Sequence, residues 1–518
     1  MERKPSAVAA AGVERQQAVP GEKKMSPSKP RLSLPRGART LDYDEAFDVA
    51  VFDILLPCRN FVVKHKVTES GRVSMTAEFL LRLLRASDGF DETDFEKFFG
   101  FNADERSFVL KEAEESGYVE RRNGRLWLTA TGRGLFKDGE EEPVIYEVEQ
   151  RTVRAGFDLL SFAPSVVESF SKFDQWLPEL KVIETARVAA ARDTVRDKFR
   201  RFYGEFSAKM RSDPQKRRFL YSVDHVEPGN RFSNVVRIVV KSTLRQPGAI
   251  EPDLSDWKVG YEIEDRGEVV ESCASFLAGL SRDRHPGDAI GLNLLSEVAP
   301  EFMASFARAG EISPSLLVRR VLGSKTSTEM PSAPAFTDAI AGSLFTNANF
   351  RKVMDTLRNA ADLRKARPNS CVWLVPQISA WGATRALPIM LDQIADRLGA
   401  DDQQGPDDER LRSIALVAGR PLNHLREAFD LVVSGHDVAG IPPGLEILLV
   451  PGLLAAISIH LPVEAARAFP VPVGILTFDD QVIERIQSVL QECSRYYTVA
   501  DNGMNLIELR TLLDRSFD

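Results

Sequence analysis

The chain has 518 residues, of which 43% are hydrophobic and 27% charged, a composition typical of globular proteins. This length is enough for about three domains, and the composition excludes collagen, coiled coil and wholesale disorder. The longest apolar run, residues 447–459, is interrupted by Pro451 and Gly452 and falls short of the roughly 20 residues that a membrane span requires. We therefore expect a cytoplasmic protein without a membrane partner, and the oligomeric state stays open.

The net charge of −8 is unevenly distributed. Residues 1–40 carry nine Lys and Arg against three Glu, and residues 181–245 carry sixteen against seven acidic residues. Two basic segments on an acidic body favour a polyanionic partner. Residues 1–40 contain almost no large apolar side chain, so we expect a disordered basic arm there. Breaks in composition divide the remainder into three predicted domains, residues 41–140, 141–330 and 331–518.

Residues 75–136 show the pattern of three amphipathic helices followed by a hairpin. Phe79 and Phe108 lie on the faces of the first and third helices that we expect to be buried. The dipeptide Asn123-Gly124 predicts a tight hairpin turn, because both turn positions require positive φ.

This order of elements, ending in the run LTATGRGLF at residues 128–136, resembles the winged-helix superfamily of bacterial regulators. The resemblance implies a winged-helix domain over residues 41–140, whose third helix in that family usually enters the major groove. Residues 75–117, however, hold five Lys and Arg against eleven Asp and Glu, which repel phosphate. DNA binding through the hairpin and the basic arm, docking of a protein partner, and a purely structural role of this domain therefore all remain open. The candidate hairpin contacts to DNA are Arg121, Arg122 and Arg125.

The central segment is predicted to be α+β, with one long basic helix from Val182 to about Met210 and then two antiparallel strands joined at Gly229-Asn230. Aromatic residues recur every three or four positions along the helix, which is typical of a buried face. A row of arginines follows another face of the helix. It fits either a solvated surface balanced by neighbouring aspartates or a surface that binds phosphate. The candidate phosphate contacts are Arg192, Arg196, Arg200 and Arg201.

After residue 345, apolar runs alternate with amphipathic helical patterns, which predicts a C-terminal parallel α/β domain. In this interpretation residues 445–451 form a strand and residues 452–461 the helix after it. Ligands in such folds bind beyond the carboxyl ends of the strands. The candidate catalytic residues there are Asp479, Asp480 and His424. The alternative for the two aspartates is that they cap a helix start.

The strand order and the run PVGILTFDDQVIERI at residues 472–486 resemble the half-repeat of phospholipase-D-like domains. Active members use a His-x-Lys pair for phosphoryl transfer, whereas His460 is followed by Leu461 and Pro462. The resemblance therefore implies the fold with a degenerate catalytic centre. The chain has no phosphate loop, GxGxxG or GxSxG motif, and its four cysteines and six histidines lack metal-ligand spacing. We expect neither a cofactor nor a metal.

Together these features favour a mixed α/β protein that associates with nucleic acid or acts as a scaffold, without catalysing a reaction. Nucleic acid and protein are the expected partners, and a bacterial regulatory or phage-defence system is the expected setting. The alternative is an enzyme that acts on a phosphodiester or nucleotide at the carboxyl ends of the C-terminal strands.

Overall fold

Residues 41–518 form one structural unit. The fold is mixed α/β, as predicted. The structure is a computed structural model. It describes residues 44–70, 75–136, 143, 146–182, 191–209, 218–257, 266–308, 310–324, 336–364, 368–399, 411–463 and 465–517. The predicted basic arm, residues 1–40, lies outside these ranges. None of the described helices has the length and apolar character needed to cross a bilayer.

Long strands and a group of short helices make up the first half of the chain. Its elements are β1 (Ala46–Ser70), α1 (Met75–Ala86), β2 (Phe90–Asp91), α2 (Glu92–Phe99), α3 (Ala103–Glu115), β3 (Val119–Arg122), β4 (Arg125–Leu128), α4 (Ala130–Gly134), β5 (Tyr146–Asp158), α5 (Ala191–Arg201), α6 (Tyr203–Lys209), β6 (Arg218–Thr243) and β7 (Glu251–Asp253).

Shorter strands and helices follow in the second half. They are α7 (Gly267–Gly279), β8 (Arg282–Asp283), α8 (Pro286–Val298), α9 (Pro300–Met303), β9 (Ala307–Arg308), β10 (Glu311–Ile312), α10 (Pro314–Ser324), β11 (Thr337–Ala341), α11 (Asn347–Arg364), β12 (Ser370–Leu374), α12 (Ala386–Gly399), β13 (Arg412–Ala418), α13 (Asn423–Ala428), β14 (Leu431–Gly435), β15 (Leu445–Val450), β16 (Leu454–Pro462), β17 (Arg467–Ala468), β18 (Pro470–Thr477), α14 (Asp480–Ser494), β19 (Val499–Ala500) and α15 (Leu506–Phe517).

The first sheet has the order β5-β1-β6-β7 and is antiparallel throughout. Its strand β6 has 26 residues, so the prediction of two strands joined at Gly229-Asn230 is wrong. Both halves of β6 pair with the 25-residue strand β1, and the register shifts where Arg59 and Phe61 face the expected turn. A partner long enough to pair with both halves replaces the hairpin by a local irregularity.

The helices α1 to α3 and the hairpin β3–β4 share a separate hydrophobic cluster, which includes Leu80, Phe95 and Leu126. The turn at Asn123-Gly124 has positive φ at both residues, as predicted. Two side chains that were expected inside are exposed: 50% of Phe79 and 69% of Phe108 are accessible. The leucines of α1 and Val109 and Leu110 of α3 fill the cluster instead.

The second sheet has the order β11-β18-β16-β15-β12-β13-β14-β19. Only the pairs β12–β13 and β13–β14 are parallel, and the other five pairs are antiparallel. The prediction of a parallel sheet is therefore wrong for most of this sheet. Its predicted helix over residues 452–461 is largely strand β16, which forms a hairpin with β15 through Gly452 at φ 67°. Apolar runs of this length fit a buried strand and a buried helix equally well.

Strand β1 takes part in two hydrophobic cores. Its first half, including Phe52 and Ile54, packs in the large cluster that covers the second sheet. Its second half, including Phe61, Val63 and Val67, packs under α5. The strand thus holds α5 and the second sheet on one continuous backbone.

A buried carboxylate joins β1 to the second sheet. Asp53 accepts two hydrogen bonds of 2.9 Å from Arg237 of β6. It also accepts hydrogen bonds from the Thr384 hydroxyl and the Arg385 backbone N–H, in the loop before α12. The Arg385 guanidinium in turn donates to Asp174, which is also buried. The Asp53 carboxylate thus accepts four hydrogen bonds, which stabilise its negative charge in a buried position.

We expect Asp53→Ala to lower the free energy of unfolding by about 3 kcal/mol, because the substitution leaves buried donors and Arg237 without their acceptor. The matched control is Asp44→Ala, which removes an exposed aspartate paired with Arg245 and should cost less than about 1 kcal/mol. Urea denaturation of the full chain measures both. Equal losses in the two variants would contradict this role for Asp53.

Candidate nucleic-acid interface

Helix α5 has one buried face. Ala191, Val195 and Phe199 recur every four residues and pack against the outer half of the first sheet. The described part of the long helix predicted from residue 182 to 210 consists of α5 and α6, separated by Phe202 alone. Residues 183–190 and 210 lie outside the described residues. Burial of one face fixes the rotation of α5 and turns the remaining side chains to solvent.

The exposed side of α5 carries the predicted arginine row. Arg192 and Arg200 are exposed, and Arg196 is partly exposed. Arg196 and Arg200 each lie 3.4 Å from the aspartate three residues earlier, in pairs that solvent and salt screen. Arg201 is exposed at the end of the helix, over the ring of Phe202. Because α5 holds five Lys and Arg against two Asp, its outer face remains positive and suits phosphate.

The arginines of the hairpin β3–β4 have closer acidic partners than the arginines of α5. Arg121 contacts Glu92 and lies 3.4 Å from Glu114, and Arg122 lies 2.6 Å from Glu120. Arg125 is exposed. Two of the three predicted contacts would have to exchange a carboxylate for a phosphate, so the hairpin is a weaker phosphate-binding surface than α5.

The surface of α3 combines negative charge with an exposed aromatic ring. Asp104 and Glu115 are exposed beside Phe108, which is itself 69% accessible. A further exposed ring, Phe98, lies on α2. Acidic side chains repel phosphate, whereas exposed aromatic side chains are typical of protein interfaces.

Each candidate catalytic residue is engaged by a hydrogen bond or an ion pair within the protein. Asp479 caps α14 by accepting hydrogen bonds from the backbone N–H groups of Gln481 and Val482, as the capping alternative predicts for this residue. The alternative is wrong for Asp480, which is the first residue of the helix and not its cap. Asp480 is exposed and lies 2.8 Å from Arg364. His424 is buried, and its Nε2–H donates to the Trp381 carbonyl oxygen.

Asp479 and His424 also lie at opposite ends of the strands of the second sheet. Asp479 follows β18 and His424 follows β13, and these strands run in opposite directions. The carboxyl ends of these two strands would lie at the same end of the sheet only if the strands ran in the same direction. The expected common site therefore does not form.

The structure reveals a buried polar cluster that sequence reasoning missed. Glu446 on β15 accepts hydrogen bonds from Trp373, Ser458 and His460, and all four side chains are buried. The signal in the sequence was a single glutamate within the otherwise apolar strand LEILLV. Because three donors satisfy the carboxylate, the cluster stabilises the sheet without needing a ligand. Among the described residues, no group of three or more side chains is arranged to hold a metal ion.

Comparison with known proteins identifies neither the family nor the function of the chain. No protein-family profile and no curated protein matches the chain. One solved structure, described as TrmBL2, an archaeal chromatin protein with a novel mode of DNA binding, aligns with 82% of this chain and 94% of its own length. The sequence identity is 10% and the TM-score 0.22, values that establish neither a shared fold nor a shared function.

We expect Asp479→Ala to destabilise the protein by about 1 kcal/mol, because it removes the acceptor for two N–H groups at a helix start. Asp480→Ala removes an exposed ion pair and should change the free energy of unfolding by less than about 0.5 kcal/mol. Urea denaturation distinguishes them, and a larger loss for Asp480→Ala would contradict the capping assignment.

Two buried histidines predict how stability depends on pH. Burial lowers the pKa of His65 and of His424 below the usual 6.5. The unfolded chain therefore binds protons that the folded chain excludes as pH falls below 6.5, and the free energy of unfolding should decrease between pH 7 and pH 5. The double variant His65→Phe, His424→Phe should show a shallower decrease than the wild type when urea denaturation is measured at pH 5, 6 and 7.

Proposed function

We propose that the protein binds nucleic acid without catalysing a reaction, and that the outer face of α5 contacts the phosphate backbone. The observation that carries this proposal is the row Arg192, Arg196 and Arg200, exposed at both ends and partly exposed at Arg196, on a helix with one buried face. Guanidinium groups four residues apart are spaced about 6 Å along the helix axis, so several can contact one strand. Contacts of this kind give affinity without selecting a sequence.

A non-catalytic role is supported by the positions of the candidate catalytic residues. Asp479 caps α14, and it lies at the opposite sheet edge from His424. The alternative of an enzyme acting on a phosphodiester or nucleotide therefore loses its expected site.

For residues 75–136 we propose a winged-helix module that binds a protein partner. Three helices followed by a hairpin have the order of that fold. The acidic α3 and its exposed Phe108 support a protein partner over DNA. A place in a bacterial regulatory or defence system stays a prediction from this combination of parts.

Reversing Arg192, Arg196 and Arg200 to Glu should weaken binding to duplex and single-stranded DNA by at least about tenfold at moderate salt. Each lost phosphate contact should also flatten the slope of log affinity against log salt by about 0.7 to 0.9. Fluorescence anisotropy of labelled DNA with the full chain, measured at several salt concentrations, gives both quantities.

The matched control is Arg358→Glu on α11, because Arg358 also pairs with an aspartate three residues earlier on an exposed helix face. It should leave affinity and slope nearly unchanged. Unchanged binding in the triple variant, or the same loss in the control, would exclude α5 as the interface.

A further inference from the structure

The outer half of the first sheet has one face covered by helix α5 and one face turned to solvent. Strands β5, β1 and β6 pair side by side there. Phe61, Val63 and Val67 of β1 pack under α5 and are buried. Because side chains alternate along a strand, the residues between them, including Lys64 and Lys66, belong to the opposite face. We call this opposite face the open face.

All three strands contribute exposed side chains to the open face. These are Val148, Thr152 and Arg154 of β5, Lys64 of β1, and Phe219 and His225 of β6. The strand register places them in rows, with Lys64 between Thr152 and His225. The open face is therefore a solvent-accessible surface three strands wide, supported from behind by α5.

The part of the open face formed by β1 and β5 is positively charged. Lys64 and Lys66 lie on β1, about 7 Å apart along the strand. Arg154 of β5 pairs in register with Val62, two residues before Lys64, and so extends the two lysines into one path. The other residues that β1 and β5 place on this face are uncharged: Val62, Thr68, Val148, Gln150 and Thr152. Such a path suits the phosphates of one strand.

The two cations at the beginning of this path have no acidic partner among the described residues. They are Arg154 and Lys64. Lys66 lies 3.8 Å from Asp224 of β6, and both side chains are accessible to solvent. The second acidic side chain near the path, Glu227, also belongs to β6 and contacts His225 at 3.0 Å. The acidic groups thus lie along one side of the path and leave its β1 and β5 side free for an anion.

An exposed aromatic ring lies at the end of the path. Phe219 pairs in register with Thr68, two residues after Lys66, and 54% of Phe219 is accessible. A second ring, Tyr221, is 67% accessible and lies where β6 has one residue more than β1. Proteins that bind single strands combine cations that follow the backbone with exposed rings on which bases stack. The open face has both.

The charge around the ring distinguishes nucleic acid from protein as the occupant. Phe108 of α3 is also exposed, but its neighbours Asp104 and Glu115 repel phosphate. Phe219 instead follows a path of cations, which attracts phosphate and strengthens contacts with a ring. The open face therefore fits a polyanion with accessible aromatic faces.

We propose that the open face binds single-stranded nucleic acid, with phosphates on Arg154, Lys64 and Lys66 and an unpaired base stacked on Phe219. The inference rests on the proposed function for the kind of partner, and it adds a second surface and a preference for single strands. Every base has an aromatic face, so this contact is tolerant of sequence. A duplex gains nothing from Phe219, because its bases are already stacked on one another.

The test uses the full chain and three fluorescent 30-nucleotide DNA probes: a single strand of mixed sequence, the same strand with abasic residues throughout, and a duplex. A strand of this length spans about 100 Å at the duplex rise of about 3.4 Å, so it can reach both α5 and the open face. One base–aromatic contact typically changes affinity by about 5- to 150-fold. Fluorescence anisotropy should therefore show that the intact strand binds at least about fivefold more tightly than the abasic strand.

Substitution of the exposed ring locates the effect. Phe219→Ala should lower the affinity for the intact strand by at least about fivefold, and leave the abasic strand and the duplex unchanged. The matched control is Phe98→Ala on α2, whose ring is 66% accessible and distant in sequence from the open face. It should change none of the three affinities. Both rings are largely exposed, so melting temperatures close to that of the wild type should confirm that each variant is folded.

Neutralising the path tests the phosphate contacts. The double variant Lys64→Gln, Arg154→Gln should flatten the slope of log affinity against log salt for the single strand by about 1.4, or about 0.7 for each lost contact. The slope for the duplex should stay the same. Reversal of the α5 arginines, in contrast, should weaken both the single strand and the duplex.

Equal affinity of the wild type for the intact and abasic strands would overturn the open-face proposal, as would equal losses in Phe219→Ala and Phe98→Ala. If the open-face variants bound normally while the α5 variant lost affinity for both probes, the proposed function would stand alone. The reverse result would support the open face and exclude α5. A change in oligomeric state on size-exclusion chromatography of Phe219→Ala, at unchanged single-strand affinity, would assign the open face to a second copy of the chain and refute the proposal.

Discussion

The arrangement of the two sheets depends on the hydrogen bonds that the Asp53 carboxylate accepts. It lies on β1, accepts from Arg237 within the first sheet, and accepts from Thr384 and Arg385 at the edge of the second. A buried charge is tolerated only when donors surround it. The loop before α12 must therefore stay in the one position relative to β1 in which its donors reach Asp53. The Asp53 N–H also donates to Ala383 O, which adds a backbone contact at the same place.

The position of α5 follows from β1. Twelve residues after Asp53, the same strand reaches His65 beneath α5 and α6. Because the strand is continuous and paired on both sides, the basic helix is held on a rigid support and not on a flexible linker. Sites built on strands and helices keep their geometry better than sites on loops, which suits the phosphate-binding surface that we propose on α5.

Local chemistry was readable from the sequence, whereas strand partners were not. The Asn123-Gly124 turn, the cap at Asp479 and the arginine spacing on α5 each depend on a few neighbouring residues, and the structure contains all three. The single strand β6 and the antiparallel pairs of the second sheet depend on long-range pairing with β1 and between hairpins, which periodicity does not encode. The hydrogen bonds of Asp53 were missed for the same reason, since Asp53, Arg237 and Arg385 come from three distant segments.

The buried glutamate of β15 has a consequence for how the second sheet assembles. Glu446 lies directly opposite Ser458 in the β15–β16 hairpin, with His460 two residues further along the same strand. The other side chains of the two strands are almost all apolar, and all are buried. A slip of one residue would turn the carboxylate to the face of the sheet away from Ser458 and His460. A hairpin misaligned by one residue would thus carry an unpaired charge in an apolar interior, so the polar cluster selects against that register.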